Sequence, residues 1–151
     1  MRELVEARNS KGLRFDMSPM LANIDQVCQR TEAFLSALDI ENERFDILLV
    51  LRELLNNAVI HGSRLHREKR IRVVVICAGK ELNIEIKDQG QGFDWRRRIE
   101  QPFPNLSACS GRGVFIAKYF SDFCTYNDMG NKVWFIKKLS CQPTGPKKEK
   151  S

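Results

Sequence analysis

A chain of 151 residues in which 42% of side chains are hydrophobic can enclose one core, so a single domain is expected. No run approaches the roughly 20 apolar residues that a bilayer-spanning helix needs, and the opening MRELVEARNSKG lacks the apolar stretch of a secretory signal; a cytoplasmic, membrane-free protein is expected. The formal net charge of +6 comes largely from three clusters (Arg64, Arg67, Lys69, Arg70 and Arg72; Arg96 to Arg98; Lys147, Lys148 and Lys150), read as solvated surface because no nucleic-acid-binding signature accompanies them.

Residues 1–11 are polar and residues 140–151 (SCQPTGPKKEKS) combine Pro, Gly and Lys, so both are expected as flexible tails around a domain at 12–139. Residues 13–16 read as a short strand. Ser18 and Pro19 suit the N-cap and first position of a helix to about residue 38, with Leu21, Ile24, Val27, Cys28, Phe34, Leu35 and Leu38 as its apolar stripe. A second helix is expected from 41–43 to His61, with Gly62 as its stop and Phe45, Leu48, Leu51, Leu55, Ala58 and Val59 on its buried side. IRVVVICA (71–78) and LNIEIKD (82–88) read as strands joined in a hairpin at Gly79 and Lys80. In the second, Leu82, Ile84 and Ile86 alternate with Asn83, Glu85 and Lys87, the pattern of a sheet with one covered face and one wet face.

Residues 94–110 contain Pro102 and Pro104 and no periodicity, which predicts a loop of the length used for lids and binding segments. A helix from 113 to about 123, a strand at 124–126, a turn at 127–131 and a strand at 132–139 complete the chain. The sum is an α+β, two-layer sandwich: a mostly antiparallel mixed sheet with helices on one face. Cys28, Cys77, Cys109, Cys124 and Cys141 form no CxxC pair and read as reduced thiols, with Cys77 and Cys124 in the core.

Three short motifs carry the chemistry. In ELLNNAVIHG (53–62), Glu53, Asn57 and His61 are spaced i, i+4 and i+8 and make one polar stripe on an apolar helix. Two readings are open: a solvated helix face, or an Asn57 carbonyl oxygen for Mg²⁺ with Glu53 one turn away as proton acceptor. His61 suits a helix end as well as a phosphate neighbour. In DQGQGF (88–93), Asp88 ends a strand, where its carboxylate could receive the exocyclic amino group of adenine; Gly90 and Gly92 either let backbone approach the base or mark a tight turn. In GRGVF (111–115), Gly111, Arg112 and Gly113 begin a helix, where free N–H groups and the helix dipole favour phosphate; a plain helix entry is the alternative. In this order the three read as one site for ATP.

These motifs resemble the N, G1 and G2 boxes of the GHKL ATPases (gyrase, Hsp90, histidine kinase, MutL). The form ExxxNAxxHG, the short lid, GRG before an apolar helix and the terminal YNDMGNKVWFIKKL are most similar to the bacterial anti-sigma-factor serine-protein kinases. The resemblance spans about residues 13–139. It implies Glu53 as general base, Asn57 as the Mg²⁺ ligand, Asp88 as adenine anchor, Gly92 in the base pocket, and Gly111, Arg112 and Gly113 in a phosphate loop under the lid. It also implies ATP and Mg²⁺ as cofactors and a STAS-type anti-anti-sigma protein and a sigma factor as partners, a kinase needing mainly positioning and charge neutralisation. The arginine run 96–98 has no fixed counterpart in that family. Alternatives are a non-catalytic, nucleotide-gated binding module and a histidine-kinase catalytic module, the latter disfavoured because the chain lacks long dimerisation helices. Apolar residues of the first helix and first strand serve a core or a homodimer face equally well.

Overall fold

Two-residue alternation sets the sheet: Leu13, Phe15 and Met17 on one strand and Leu82, Ile84 and Ile86 on another are each no more than 2% exposed. The computed structural model describes residues 4–100 and 112–144. Its elements run β1 (Leu4–Asn9), β2 (Gly12–Met17), α1 (Leu21–Ala37), α2 (Arg44–Asn56), a π-helical turn (Asn57–Gly62), β3 (Ile71–Ala78), β4 (Glu81–Lys87), α3 (Trp95–Glu100), α4 (Arg112–Phe120), β5 (Phe123–Tyr126) and β6 (Lys132–Lys138). The strand order is β1-β2-β3-β4-β6-β5. The fold is the expected α+β sandwich, with one correction to the sheet: among the described residues every neighbouring pair is antiparallel, so it is not mixed. The reason lies in the connection between β2 and β3. It consists of two packed helices, which carry the chain out and back, so β3 re-enters from the end at which β2 left.

The helices bury one stripe each. On α1 it comprises Asn23, Ile24, Val27, Cys28, Thr31, Phe34 and Leu35, and on α2 Ile47, Val50, Leu51, Leu54 and Leu55, continued by Ala58 and Val59. Phe45, expected inside, is 74% exposed, because the buried face of α2 starts at Ile47 and repeats every three to four residues from there. Leu21 is likewise exposed, at the first turn of α1. Ser18 does not cap α1. Met20 holds the cap position with extended backbone and no side-chain bond, while the Ser18 carbonyl and hydroxyl accept from Asn23 Nδ2 at 3.0 and 3.1 Å. Of the cysteines, Cys28 is buried and Cys77 and Cys124 are half-buried, all with free thiols; burial pushes Cys124 up to about 11.

Both expected tails carry structure. Residues 4–9 form β1, paired in register from Leu4 opposite Met17 to Asn9 opposite Gly12, with Glu6 ion-paired to Arg30. The polar composition taken for a tail is that of an edge strand, whose outer side faces water. Beyond β6, Ser140 N donates to Glu43 Oε1 at 2.6 Å and Thr144 Oγ1 to Asp39 Oδ2 at 2.7 Å, which fixes 140–144 against the α1–α2 connection. Within the expected loop at 94–110, α3 begins where Asp94 Oδ1 accepts from Arg97 N at 3.2 Å, an N-cap signal. Residues 101–111, with Pro102, Pro104, Cys109 and Gly111, and residues 1–3 and 145–151 lie outside the described residues. The helix after them ends at Phe120, so Phe123 opens β5 opposite Ile136 instead of closing α4. No described helix is long and apolar enough to cross a membrane.

Phe15, fully buried on β2, and Phe45, exposed on α2, separate the two sides of this packing. Phe15→Ala is expected to cost about 3–5 kcal/mol of unfolding free energy in urea titration. Phe45→Ala should change it by no more than about 0.5 kcal/mol; a large loss at Phe45 would contradict the register of α2.

Candidate functional site

At the end of α2 the helix widens. Ser63 N donates to Ala58 O at 2.8 Å, an i to i−5 bond, so the turn Asn57–Gly62 holds an additional residue. The expected Gly62 stop is therefore replaced by a π-helical end capped at Ser63, followed by Arg64 and Leu65 at positive φ. Asn57 and His61, at either end of this turn's polar side, both line one cavity of about 280 Å³. Glu53 sits an α-helical turn earlier, half-exposed, and is not among the residues lining that cavity. The three-residue stripe is thus divided.

The wide turn also presses Gly62 onto Asp88. A Cβ on Gly62 would lie 2.5 Å from both the carboxylate carbon and Oδ2. Gly90 is equally confined: its own Cβ would strike the Gly62 carbonyl, and its N–H donates to Asp88 Oδ1 at 2.7 Å. Gly92 has φ 76° and lies against the Met129 carbonyl, and Gly130, at φ 81°, lies against that of Phe93. Gly90 is thus required by close backbone approach, whereas Gly92 is required by both approach and left-handed backbone.

Asp88 is 8% exposed and lines the cavity. Its N–H donates to Asn131 O at 2.9 Å and its carbonyl accepts from Asn131 Nδ2 at 3.3 Å. Burial pushes its carboxyl above the ordinary aspartate range; the Gly90 N–H and the charge of Lys69 pull partly the other way.

The third motif meets the first through Gly113. A Cβ there would collide with Asn57 Nδ2 and lie 3.4 Å from Asn57 Oδ1, so the start of α4 rests on the Asn57 amide. Arg112 is the first residue of α4; Gly111 lies outside the described residues. Of the expected site residues, Asn57, Asp88, Gly92 and His61 line the cavity, while Gly90 and Gly113 shape it from behind.

One wall was not anticipated. Asn127 Oδ1 accepts from the N–H groups of Gly130, Asn131 and Lys132 at 2.8, 3.0 and 3.2 Å, and its Nδ2 donates to Asn131 Oδ1 at 2.7 Å. This turn sets Gly130, Asn131 and Lys132 into the cavity wall. Trp95 Nε1 donates to Asn127 O at 2.9 Å and Arg96 pairs with Asp128 at 2.9 Å, tying α3 to the same turn. The signal was present in YNDMGN, where an asparagine that can bond its own downstream backbone precedes a glycine at positive φ.

Among the described residues no three His, Cys, Asp or Glu side chains converge as a metal cage. Among the described residues lining the cavity, Asn57, Asp88, Tyr126 and Asn131 carry side-chain oxygens. That set suits a hard cation that keeps its waters and arrives with an oxygen-rich ligand, with Asn57 supplying a protein donor.

Folding raises the Asp88 pKa, so between its unfolded and folded values the native state holds more protons and stability falls as pH rises through that window. Asp88→Asn removes this titration and keeps an oxygen for the Gly90 N–H. Without ligand, the variant is expected to be more stable than the parent at pH 7, and the advantage should shrink toward about pH 3, where both side chains are neutral. Urea titrations at the two pH values measure this; a variant less stable at pH 7 would refute it.

Residues 17–137 match the model of the histidine kinase-like ATPase domain family. The anti-sigma F factor of Anoxybacillus flavithermus is 30% identical over 142 residues, 88% of this chain and 94% of that protein. Those of Clostridium perfringens and Clostridium acetobutylicum are 28% identical over 116 residues (72% of this chain, 82% of theirs) and 34% identical over 98 residues (60% and 65%). With the all-antiparallel sandwich and three motifs meeting at one cavity, these matches establish that the chain belongs to the histidine kinase-like (GHKL) ATPase family, in the branch of the anti-sigma factors.

Proposed function

We propose that the protein is an ATP-binding anti-sigma factor and serine-protein kinase, which phosphorylates a STAS-type anti-anti-sigma protein and sequesters a sigma factor in a partner-switching system. The observation that carries this reading is the meeting of Asn57, Asp88 and Gly113 around one cavity in a chain that aligns with 94% of an anti-sigma F factor. In this reading Asp88 accepts the exocyclic amino group of adenine, and Gly90 and Gly92 let backbone come close to base and ribose. Gly111, Arg112 and Gly113 hold phosphate at the N-terminus of α4, where unpaired N–H groups and the helix dipole favour anions. Asn57 Oδ1 would hold Mg²⁺, which when bound would supply neutralisation of the phosphate charge.

Glu53 takes the role of general base. Its place one turn before Asn57, beside the cavity and half-exposed, suits a group that must meet a hydroxyl brought by a second protein. The serine oxygen attacks the γ-phosphorus, the bond from that phosphorus to the β–γ bridging oxygen breaks, ADP leaves, and the serine proton passes to the Glu53 carboxylate.

Incubation with Mg-ATP and a cognate STAS protein should yield phosphoserine, detected by mass spectrometry. Glu53→Gln should slow transfer by about 10²- to 10⁴-fold while leaving ATP affinity within about threefold. An undiminished rate in that variant would remove the base assignment. Tight ATP binding without any phosphoserine would instead identify a nucleotide-gated binding module.

A further inference from the structure

Strand β3 is apolar on both sides. Ile71, Val73 and Val75 point into the core, yet Val74 and Ile76, which alternate with them, are apolar too, the composition of a strand covered on both faces. Val74 is nevertheless half-buried and Ile76 is 42% exposed. The register carries this outward apolar surface across the sheet. Ile76 and Ile136 both stand opposite Asn83, Phe123 stands opposite Ile136 and is 53% exposed, and Val74 and Trp134 flank Glu85. The row beyond is basic: Arg72, Lys87 and Lys132 stand directly opposite one another on three adjacent strands, and Arg14 lies beside them, opposite Val74. Like charges placed directly opposite destabilise a sheet, so a chain that keeps three in line calls for something to offset them. Asp16 and Glu85, the carboxylates within these rows, are already engaged. Asp16 pairs with Arg70, and Glu85 pairs with Lys132 at 3.0 Å and accepts from Trp134 Nε1 at 3.1 Å. Among the described residues no carboxylate pairs with Arg14, Arg72 or Lys87.

We infer that this open face of the sheet is a docking surface for an acidic, amphipathic helix of a partner protein. The apolar side of that helix lies on Val74, Ile76 and Ile136, and its carboxylates meet Arg14, Arg72 and Lys87. Layered folds cover a sheet with helices, and α1, α2 and α4 already pack on the opposite face. A second copy of the chain is a poor match for this face. It would set these cations against one another or against the aliphatic row, with no unengaged carboxylate to meet them. Nucleic acid would be drawn to the cations, but the row at Ile76 and Ile136 offers a phosphate backbone no donor. The inference does not depend on the nucleotide reading of the cavity, since of the side chains named here only Lys132 lines it.

The probe is a synthetic helical peptide with leucine along one side and glutamate along the other, titrated onto the full chain by fluorescence anisotropy. Its counterpart carries lysine in place of glutamate. The acidic peptide should bind at least about tenfold more tightly than the basic one and weaken as salt rises. Lys87→Glu separates docking from folding. The introduced carboxylate would stand between Arg72 and Lys132, so the urea midpoint of the free chain should rise or hold while the acidic peptide binds at least about fivefold more weakly. Ile76→Thr, which keeps a strand-forming side chain, should weaken binding at least about threefold. Phe45→Asp, at an exposed side chain of α2 away from the sheet, should leave it within about twofold. Equal binding of the two peptides, or undiminished binding by Lys87→Glu and Ile76→Thr, would overturn the inference. So would a DNA duplex that binds more tightly than the acidic peptide and is lost with Lys87→Glu, which would make this a nucleic-acid surface. Self-association in sedimentation equilibrium that Ile76→Thr abolishes would overturn it in favour of a second copy.

Discussion

Gly62 lies flat against the Asp88 carboxylate, and the arrangement of the site depends on that contact. Through it the end of a helix and the end of a strand meet at backbone distance, with Gly90 closing the third side so tightly that a methyl group would strike the Gly62 carbonyl. A carboxylate enclosed in this way is costly to keep charged, so burial raises its pKa, while the Gly90 N–H and the charge of Lys69 support the ionised form. A desolvated carboxylate at a cavity wall gains more from a hydrogen-bond donor than a solvated one would.

The second organising element is Asn127. Three backbone N–H groups converge on its side-chain oxygen, which fixes the β5–β6 turn, and this turn holds Asn131 against the backbone of Asp88 and Trp95 at the base of α3. The segment that precedes the third motif is therefore anchored at one end to the wall of the cavity. Trp95 and Arg96 thereby tie α3 to the Asn127 turn.

Much of this was legible in the chain. Strands β3 and β4, their Gly79-Lys80 hairpin, the extent of α1 and the closing β5–β6 hairpin follow from periodicity and turn chemistry, because each is local. The meeting of Asn57, Asp88 and Gly113 joins elements distant in sequence, and it was implied by the ordered motifs and their resemblance to the GHKL boxes, not by periodicity. What was not legible depends on partners distant in sequence. Residues 4–9 are polar in composition and become a strand only because β2 offers an edge; Phe45 is apolar in composition and stays outside because α2 turns a neighbouring stripe inward. The widened turn is invisible to a 3.6-residue period, which is why His61 was placed in line with Glu53.

That turn makes the first motif a ruler. Between Asn57, which carries the start of α4, and Gly62, which abuts Asp88, the chain takes a wider path than an α-helix would. Deleting one residue there would restore ordinary winding and draw the glycine off its carboxylate, and inserting one would drive a side chain into it. Substitution can drift at the outward Ile60, but length cannot, so this six-residue span should resist indels over evolutionary time more strictly than the loops on either side of it.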